Sequence, residues 1–92
     1  MKYQIVFTAS AEREIRKLPA DVQDEIFEKI GNLEDNPRPH GYKRLTNFKL
    51  PNLKLKPLYR IRVGDYRIVY AIQDNIITIT VAKIAHRKEV YE

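Results

Sequence analysis

Five cations and two proton carriers fall into two short blocks of this chain. Arg60, Arg62 and Arg67 lie in "LYRIRVGDYRIVY", and His86, Arg87, Lys88 and Tyr91 lie in "IAHRKEVYE". Gly64-Asp65, set between alternating apolar runs, is a two-residue hairpin signal. That turn fixes a register with Val63 opposite Tyr66, Arg62 opposite Arg67 and Ile61 opposite Ile68, and Arg60 shares the face of the two arginines. Like charges directly opposite each other destabilise a sheet. A phosphate or other anion between them turns the repulsion into charge-assisted, often bidentate, hydrogen bonds. One exposed Arg on a strand is an ordinary solvated charge, whereas three converging at a hairpin point to anion binding.

The second block supplies what an anion site needs for chemistry. His titrates near neutral pH. Tyr has an ordinary pKa near 10 that neighbouring cations lower. Fixed positive charge around a proton-transfer group, with no metal ligands nearby, suggests metal-independent cleavage of RNA. The 2′-OH attacks the adjacent phosphate, the arginines stabilise the growing charge, and Tyr91 or His86 moves the proton. Arg itself is a poor acid or base.

The elements that must position these residues read as follows. "KYQIVF" (2–7) is an apolar, β-branched strand. "TASAEREIRKL" (8–18) is an amphipathic helix with Ala11, Ile15 and Leu18 on one side and Thr8 or Ser10 as its cap. Pro19 separates it from "PADVQDEIFEKIGNLED" (19–35), whose stripe is Val22, Ile26, Ile30 and Leu33. The two predict a helix hairpin. Residues 36–57 read as a long, Pro- and Lys-rich loop with a short extended piece near "LKL". Three strands follow, at 58–63, 66–73 and 76–84, with Asp74-Asn75 as a second two-residue turn pairing Tyr70 with Ile79, Ile68 with Val81 and Arg67 with Ala82.

Sorting by alternation puts Tyr59, Ile61, Val63, Tyr66, Ile68, Tyr70, Ile72, Ile77, Ile79 and Val81 on one face. Arg60, Arg62, Arg67, Val69, Ala71, Thr78, Thr80, Ala82 and Ile84 fall on the other. The prediction is an α+β domain over residues 1–92, with an N-terminal strand, two helices on one face of a twisted antiparallel sheet, and an open, basic opposite face carrying the C-terminal segment on its edge.

Composition narrows the partners. The 92 residues contain no Cys and two His, which excludes a disulfide framework and disfavours an all-protein zinc site. No signal-peptide core or membrane span is legible, so the expectation is a cytoplasmic protein with no membrane contact. The net charge of +5 is unevenly spread. Residues 1–35 carry five basic and eight acidic side chains, residues 36–92 twelve and four, and no Asp or Glu occurs between Asp35 and Asp65. A stretch of one sign this long attracts nucleic acid or an acidic protein.

The blocks "KLP", "NPRPHGYKRL", "LYRIRVGDYRIVY" and "HRKEVY", in this order over nearly the whole chain, resemble the RelE/ParE superfamily of toxins from bacterial toxin–antitoxin modules. The resemblance is to the RelE-like branch, and it implies a ribosome-dependent mRNA endonuclease that cuts in the A site and so inhibits translation. By position it implies Arg67 and Arg87 as transition-state clamps and Arg60 and Arg62 as holders of the RNA backbone, Arg62 within the catalytic group. Tyr91 then stacks on a base or acts as the general base. The best-studied members carry Lys where this chain has Arg60 and Arg62, which shifts proton transfer toward His86 or Tyr91. Lys43, Arg44, Lys54, Lys56 and Lys88 are further expected RNA contacts, and the 46–57 link looks longer than usual. The resemblance also implies a cognate antitoxin in a hetero-oligomeric complex, mRNA and ribosome as targets, and no cofactor. Its alternatives are a ParE-like inhibitor of DNA gyrase that binds without catalysis, and a non-catalytic RNA-binding module.

Overall fold

A computed structural model describes residues 2–51 and 53–90. Along the chain run β1 (Gln4–Phe7), α1 (Ala9–Arg16), α2 (Ala20–Asn32), β2 (Lys43–Leu45), β3 (Leu58–Val63), β4 (Tyr66–Gln73) and β5 (Thr78–His86). A 3₁₀ turn spans Asp74–Ile76 and another Arg87–Glu89. The strands form one sheet in the order β1-β5-β4-β3-β2.

The α+β layering is as the periodicity predicts. Thr8 caps α1 by accepting from the Ala11 N–H at 3.1 Å. Ala11 and Ile15 of α1, and Ile26 and Ile30 of α2 with Leu33 just beyond it, pack on Ile61, Val63, Ile68, Tyr70, Ile79, Val81 and Ile84. Ile26 is fully buried, and deleting such a side chain costs about 2–5 kcal/mol. The sheet is mixed rather than antiparallel throughout, because β1 pairs with β5 in parallel, Ile5 opposite Ile79. The two helices carry the chain from β1 to β2 at the opposite edge of the sheet, and β3 and β4 then lead back until β5 lies beside β1.

The first hairpin has the predicted register: Val63 opposite Tyr66, Arg62 opposite Arg67, Ile61 opposite Ile68. Gly64 takes the positive φ of 59° that the turn demands. The second hairpin differs. Asp74-Asn75 is not a two-residue turn, since a 3₁₀ turn and Ile77 in the left-handed region (φ 49°) lengthen the connection, and Gln73 pairs with Thr78. Tyr70 therefore faces Val81 instead of Ile79. A slip of two residues leaves each side chain on its own face, so Ile79 and Val81 stay in the core, whereas Ile77, expected on that face, falls in the connection and outside the core cluster.

Beyond Val81 the faces do change. Val69 pairs with Lys83 while Tyr70 pairs with Val81, which makes Ala82 the extra residue of a bulge. The bulge turns Ile84 into the helix-side core, puts Ala85 opposite Arg67, and puts His86 opposite Tyr66. β1 reaches only Val81, so the rest of β5 is a free edge. α1 closes it: Glu14 accepts from the Ile84 N–H at 2.9 Å and pairs with Lys83 at 2.9 Å, and Thr8 donates its hydroxyl to the Ala82 carbonyl.

The face opposite the helices is only partly open. Leu45, Leu58, Val69, Ala71, Ala85 and Val90 form a second buried cluster, roofed by Phe48, Leu50, Leu53 and Leu55. Thus the described residues 46–51 and 53–57 form a roof whose leucines pack on the second cluster, and the short strand within the expected loop lies at β2 instead of near "LKL". The driving force is apolar burial: an uncovered Leu45–Leu58–Val69 surface loses about 25 cal/mol for every Å² left in water. At the far end of the sheet, Tyr3 and Arg38 both bind Asp74. The Tyr70 hydroxyl donates to the Pro37 carbonyl at 2.7 Å, fastening the "NPRP" segment to the core. No helix among the described residues is long and apolar enough to cross a membrane.

Candidate functional site

The β3–β4 hairpin carries the site. Arg62 and Arg67 are directly opposite each other on the face away from the helices. They differ in exposure: Arg62 is exposed, whereas Arg67 keeps 8% of its surface. The Arg67 guanidinium donates to the Gly64 carbonyl at 3.3 Å and the Tyr66 carbonyl at 3.1 Å. A guanidinium held this way by its own turn has little rotamer freedom left to lose on binding an anion, which is preorganisation. Arg60, two residues earlier on the same face, is 1% exposed and donates to the Gly41 carbonyl at 3.0 Å. It braces the entry to β2 from a buried position. Lys43 pairs with Arg60 across β2 and β3 and is exposed on the same face, while Arg44, opposite Tyr59, starts from the other.

The C-terminal turn is tied to this hairpin. The Arg87 N–H donates to the Asp65 carbonyl at 2.7 Å, and its Nε lies 3.9 Å from the Asp65 carboxylate. Arg87 is thereby anchored through its backbone beside the turn that carries Arg67, with its side chain exposed. Lys88 is exposed beside it. Val90, 3% exposed, returns the chain to the second apolar cluster on the arginine face. Tyr91 lies outside the described residues.

His86 is the residue that departs from expectation. The bulge at Ala82 carries it off the arginine face, and its ring stands edge-on to Tyr66 with centroids 5.9 Å apart. Its Nδ1 accepts from the Lys88 N–H at 3.3 Å and Glu89 accepts from the His86 N–H at 3.2 Å, a capping box for the last turn. Its place on the helix side and its two contacts with the last turn suit a cap.

The structure therefore brings Arg62, Arg67, Arg87, Lys88 and Lys43 to one rim, takes Arg60 inside, and removes His86 to the helix side. Lys54 and Lys56 are exposed on the outside of the roof, where Lys49 joins them. Lys49 escapes a reading that treats 46–57 as irregular. Its signal is the alternation Phe48, Lys49, Leu50 and Leu53, Lys54, Leu55, Lys56, which is strand-like and puts the leucines in and the lysines out.

The chain as a whole is similar to known proteins in sequence and fold. A family model described as "ParE toxin of type II toxin-antitoxin system, parDE" matches residues 5–91. Toxin RelE of Mycobacterium tuberculosis is 36% identical over 97% of this chain and 86% of its own length. Toxin RelG of the same organism is 29% identical over 99% of this chain and 98% of its own. Among solved structures, the toxin–antitoxin complex RelBE2 of M. tuberculosis contains a chain that superposes with a TM-score of 0.76 at 28% identity, covering 95% of this chain and all of that one.

Proposed function

The chain belongs to the ParE toxin family of type II toxin–antitoxin systems, within the RelE/ParE superfamily, and we propose that within it this protein is a ribosome-dependent mRNA endonuclease. The observation that carries the reading is the cross-strand pair Arg62–Arg67, with Arg87 hydrogen-bonded to the intervening turn. Arginines brought to one place on a sheet face suit a phosphodiester, which each guanidinium can bind by charge-assisted, often bidentate, hydrogen bonds.

The chemistry follows from the groups present. The 2′-oxygen attacks the adjacent phosphorus in line, the bond to the 5′-oxygen breaks, and the strand ends as a 2′,3′-cyclic phosphate and a 5′-hydroxyl. Arg67 and Arg87 stabilise charge on the non-bridging oxygens, and Arg62 holds the backbone. One proton leaves the 2′-OH and one reaches the leaving 5′-oxygen. We assign the general base to Tyr91, the C-terminal tyrosine that the resemblance implies, since neighbouring cations favour a phenolate and His86 caps the last turn. Lys43 and Lys88 extend the positive rim along the strand. The toxin–antitoxin complex of its structural neighbour supports a cognate antitoxin as partner, and an acidic segment of that partner laid over this rim would neutralise its charge.

The test is cleavage of mRNA on programmed ribosomes. Arg67→Ala and Arg87→Ala should each lower the rate about 10²–10³-fold, Tyr91→Phe should lower it, and His86→Ala should leave it nearly unchanged. The rival is the ParE-like reading that the resemblance leaves open, an inhibitor of DNA gyrase that acts by binding alone; the family description carries the ParE name. Intact mRNA together with blocked gyrase supercoiling would establish that rival and dismiss the nuclease.

A further inference from the structure

A second cationic feature lies away from the arginine pair. Between the free edge of β2 and the 46–57 roof is a cleft of about 170 Å³, lined among others by Arg44, Thr46, Phe48, Lys49, Lys56 and Leu58. It has an apolar floor and a cationic rim. Among the described residues no carboxylate lies within ion-pair distance of Arg44, Lys49 or Lys56. The sequence offers none nearby either, since residues 36–64 contain no Asp or Glu. Three uncompensated cations around a low-dielectric floor focus positive potential into the cleft.

The backbone adds a donor. A two-residue turn makes Val63 and Tyr66 a hydrogen-bonded pair, so alternation makes Arg60–Lys43 and Leu58–Leu45 the hydrogen-bonded pairs between β3 and β2. The Arg44 N–H then points outward, along the edge that no strand covers. Phe48, half-buried in the second cluster, fixes the neck of the segment that carries Lys49. From Leu58 at the cleft to Arg62 at the hairpin is four residues of β3, about 13 Å at ~3.3 Å each, a span that one RNA strand can cross.

We infer that this cleft is a second phosphate subsite, holding the backbone of a single RNA strand whose scissile phosphate lies between Arg62 and Arg67. The inference rests on the endonuclease reading and adds to it a place where the substrate is gripped without being cut. It separates two groups of cations: the rim at the hairpin acts on the reacting phosphate, and the cleft acts on binding.

The experiment compares wild-type protein with Arg44→Gln/Lys49→Gln/Lys56→Gln and with a control of equal charge change away from the cleft, on the helix layer and the segment before β1, Lys2→Gln/Lys17→Gln/Lys29→Gln. The probe is a short labelled single-stranded RNA titrated over a range of salt, and mRNA cleavage on programmed ribosomes is measured in parallel. The cleft variant should lose about 2 from the slope of log K against log salt, at ~0.7 for each contact, and raise KM tenfold or more with kcat unchanged. The control should do neither. Equal slopes and equal KM in variant and control would overturn the subsite while leaving the nuclease standing. A wild-type protein that neither binds RNA nor cuts mRNA would overturn both. A cleft variant that binds RNA like wild type but no longer binds poly-glutamate would assign the cleft to an acidic protein segment and overturn the inference.

Discussion

Replacing Glu14 tests how the outer edge of β5 is held at the end of the sheet that bears the arginine pair. β5 has no strand neighbour on its outer side after Val81. Glu14 stands in for one, with one carboxylate oxygen 2.9 Å from the Ile84 nitrogen and the other 2.9 Å from Lys83 Nζ. A hydrogen bond to a charged group contributes about 1.5–3 kcal/mol. The Lys83 pair, with side chains 23% and 28% exposed, adds at most about 1 kcal/mol because solvent screens it. Glu14→Ala should therefore cost about 2–3 kcal/mol. For a domain of this size that is roughly 10–20 °C in melting temperature. Glu14→Gln keeps an acceptor oxygen and should cost about 1 kcal/mol. Urea denaturation gives the energies, and amide exchange at Ile84 gives the location, because protection there should fall before that of Ile79. A Glu14→Ala loss below ~0.5 kcal/mol, or unchanged Ile84 exchange, would refute the claim that α1 closes this edge.

Other consequences follow from the buried and charged groups. Tyr70→Phe removes the hydrogen bond to the Pro37 carbonyl and should destabilise by about 1–2 kcal/mol in urea melts. Burial, then the neighbouring Tyr42, pushes the Tyr70 hydroxyl above the usual phenol range, so it should stay un-ionised in spectrophotometric titration where exposed tyrosines have already ionised. Arg38 and then Tyr3, by their hydrogen bonds, hold the Asp74 carboxyl below its ordinary value of 3.8. That stability is present above pH ~4 and is lost as pH falls through the lowered value. Tyr3 is shifted the other way, raised chiefly by its hydrogen bond to Asp74 from an ordinary 10.0, so its share is present below pH ~10 and lost as pH rises beyond it. Asp74→Asn should flatten both limbs of the stability–pH curve, and an unchanged curve would show that the Tyr3–Asp74–Arg38 link carries no stability.

Local chemistry in the chain determined a good deal of this protein. The spacing of Ala11, Ile15, Ile26 and Ile30 specifies two amphipathic helices, and Gly64-Asp65 specifies the turn that sets Arg62 against Arg67, because a two-residue hairpin admits one register. The inward set Ile61, Ile68, Tyr70, Ile79 and Val81 follows from alternation alone and survives even the mistaken second turn, since a slip of two residues preserves each face. Three features were decided only by tertiary packing. The bulge at Ala82 arises where β1 ends and α1 takes over the edge of β5, a junction of segments some seventy residues apart in the chain, and it alone moves Ile84 into the core and His86 away from the arginines. Arg60 looks like a surface cation on its strand, yet β2 and Gly41 enclose it. The segment 46–57 has the alternation of a strand but no strand to pair with. Its leucines settle on Val69 and Ala71 because that face is otherwise apolar and wet, and this leaves Lys49, Lys54 and Lys56 outside, where burying an ammonium would cost more than any leucine contact returns.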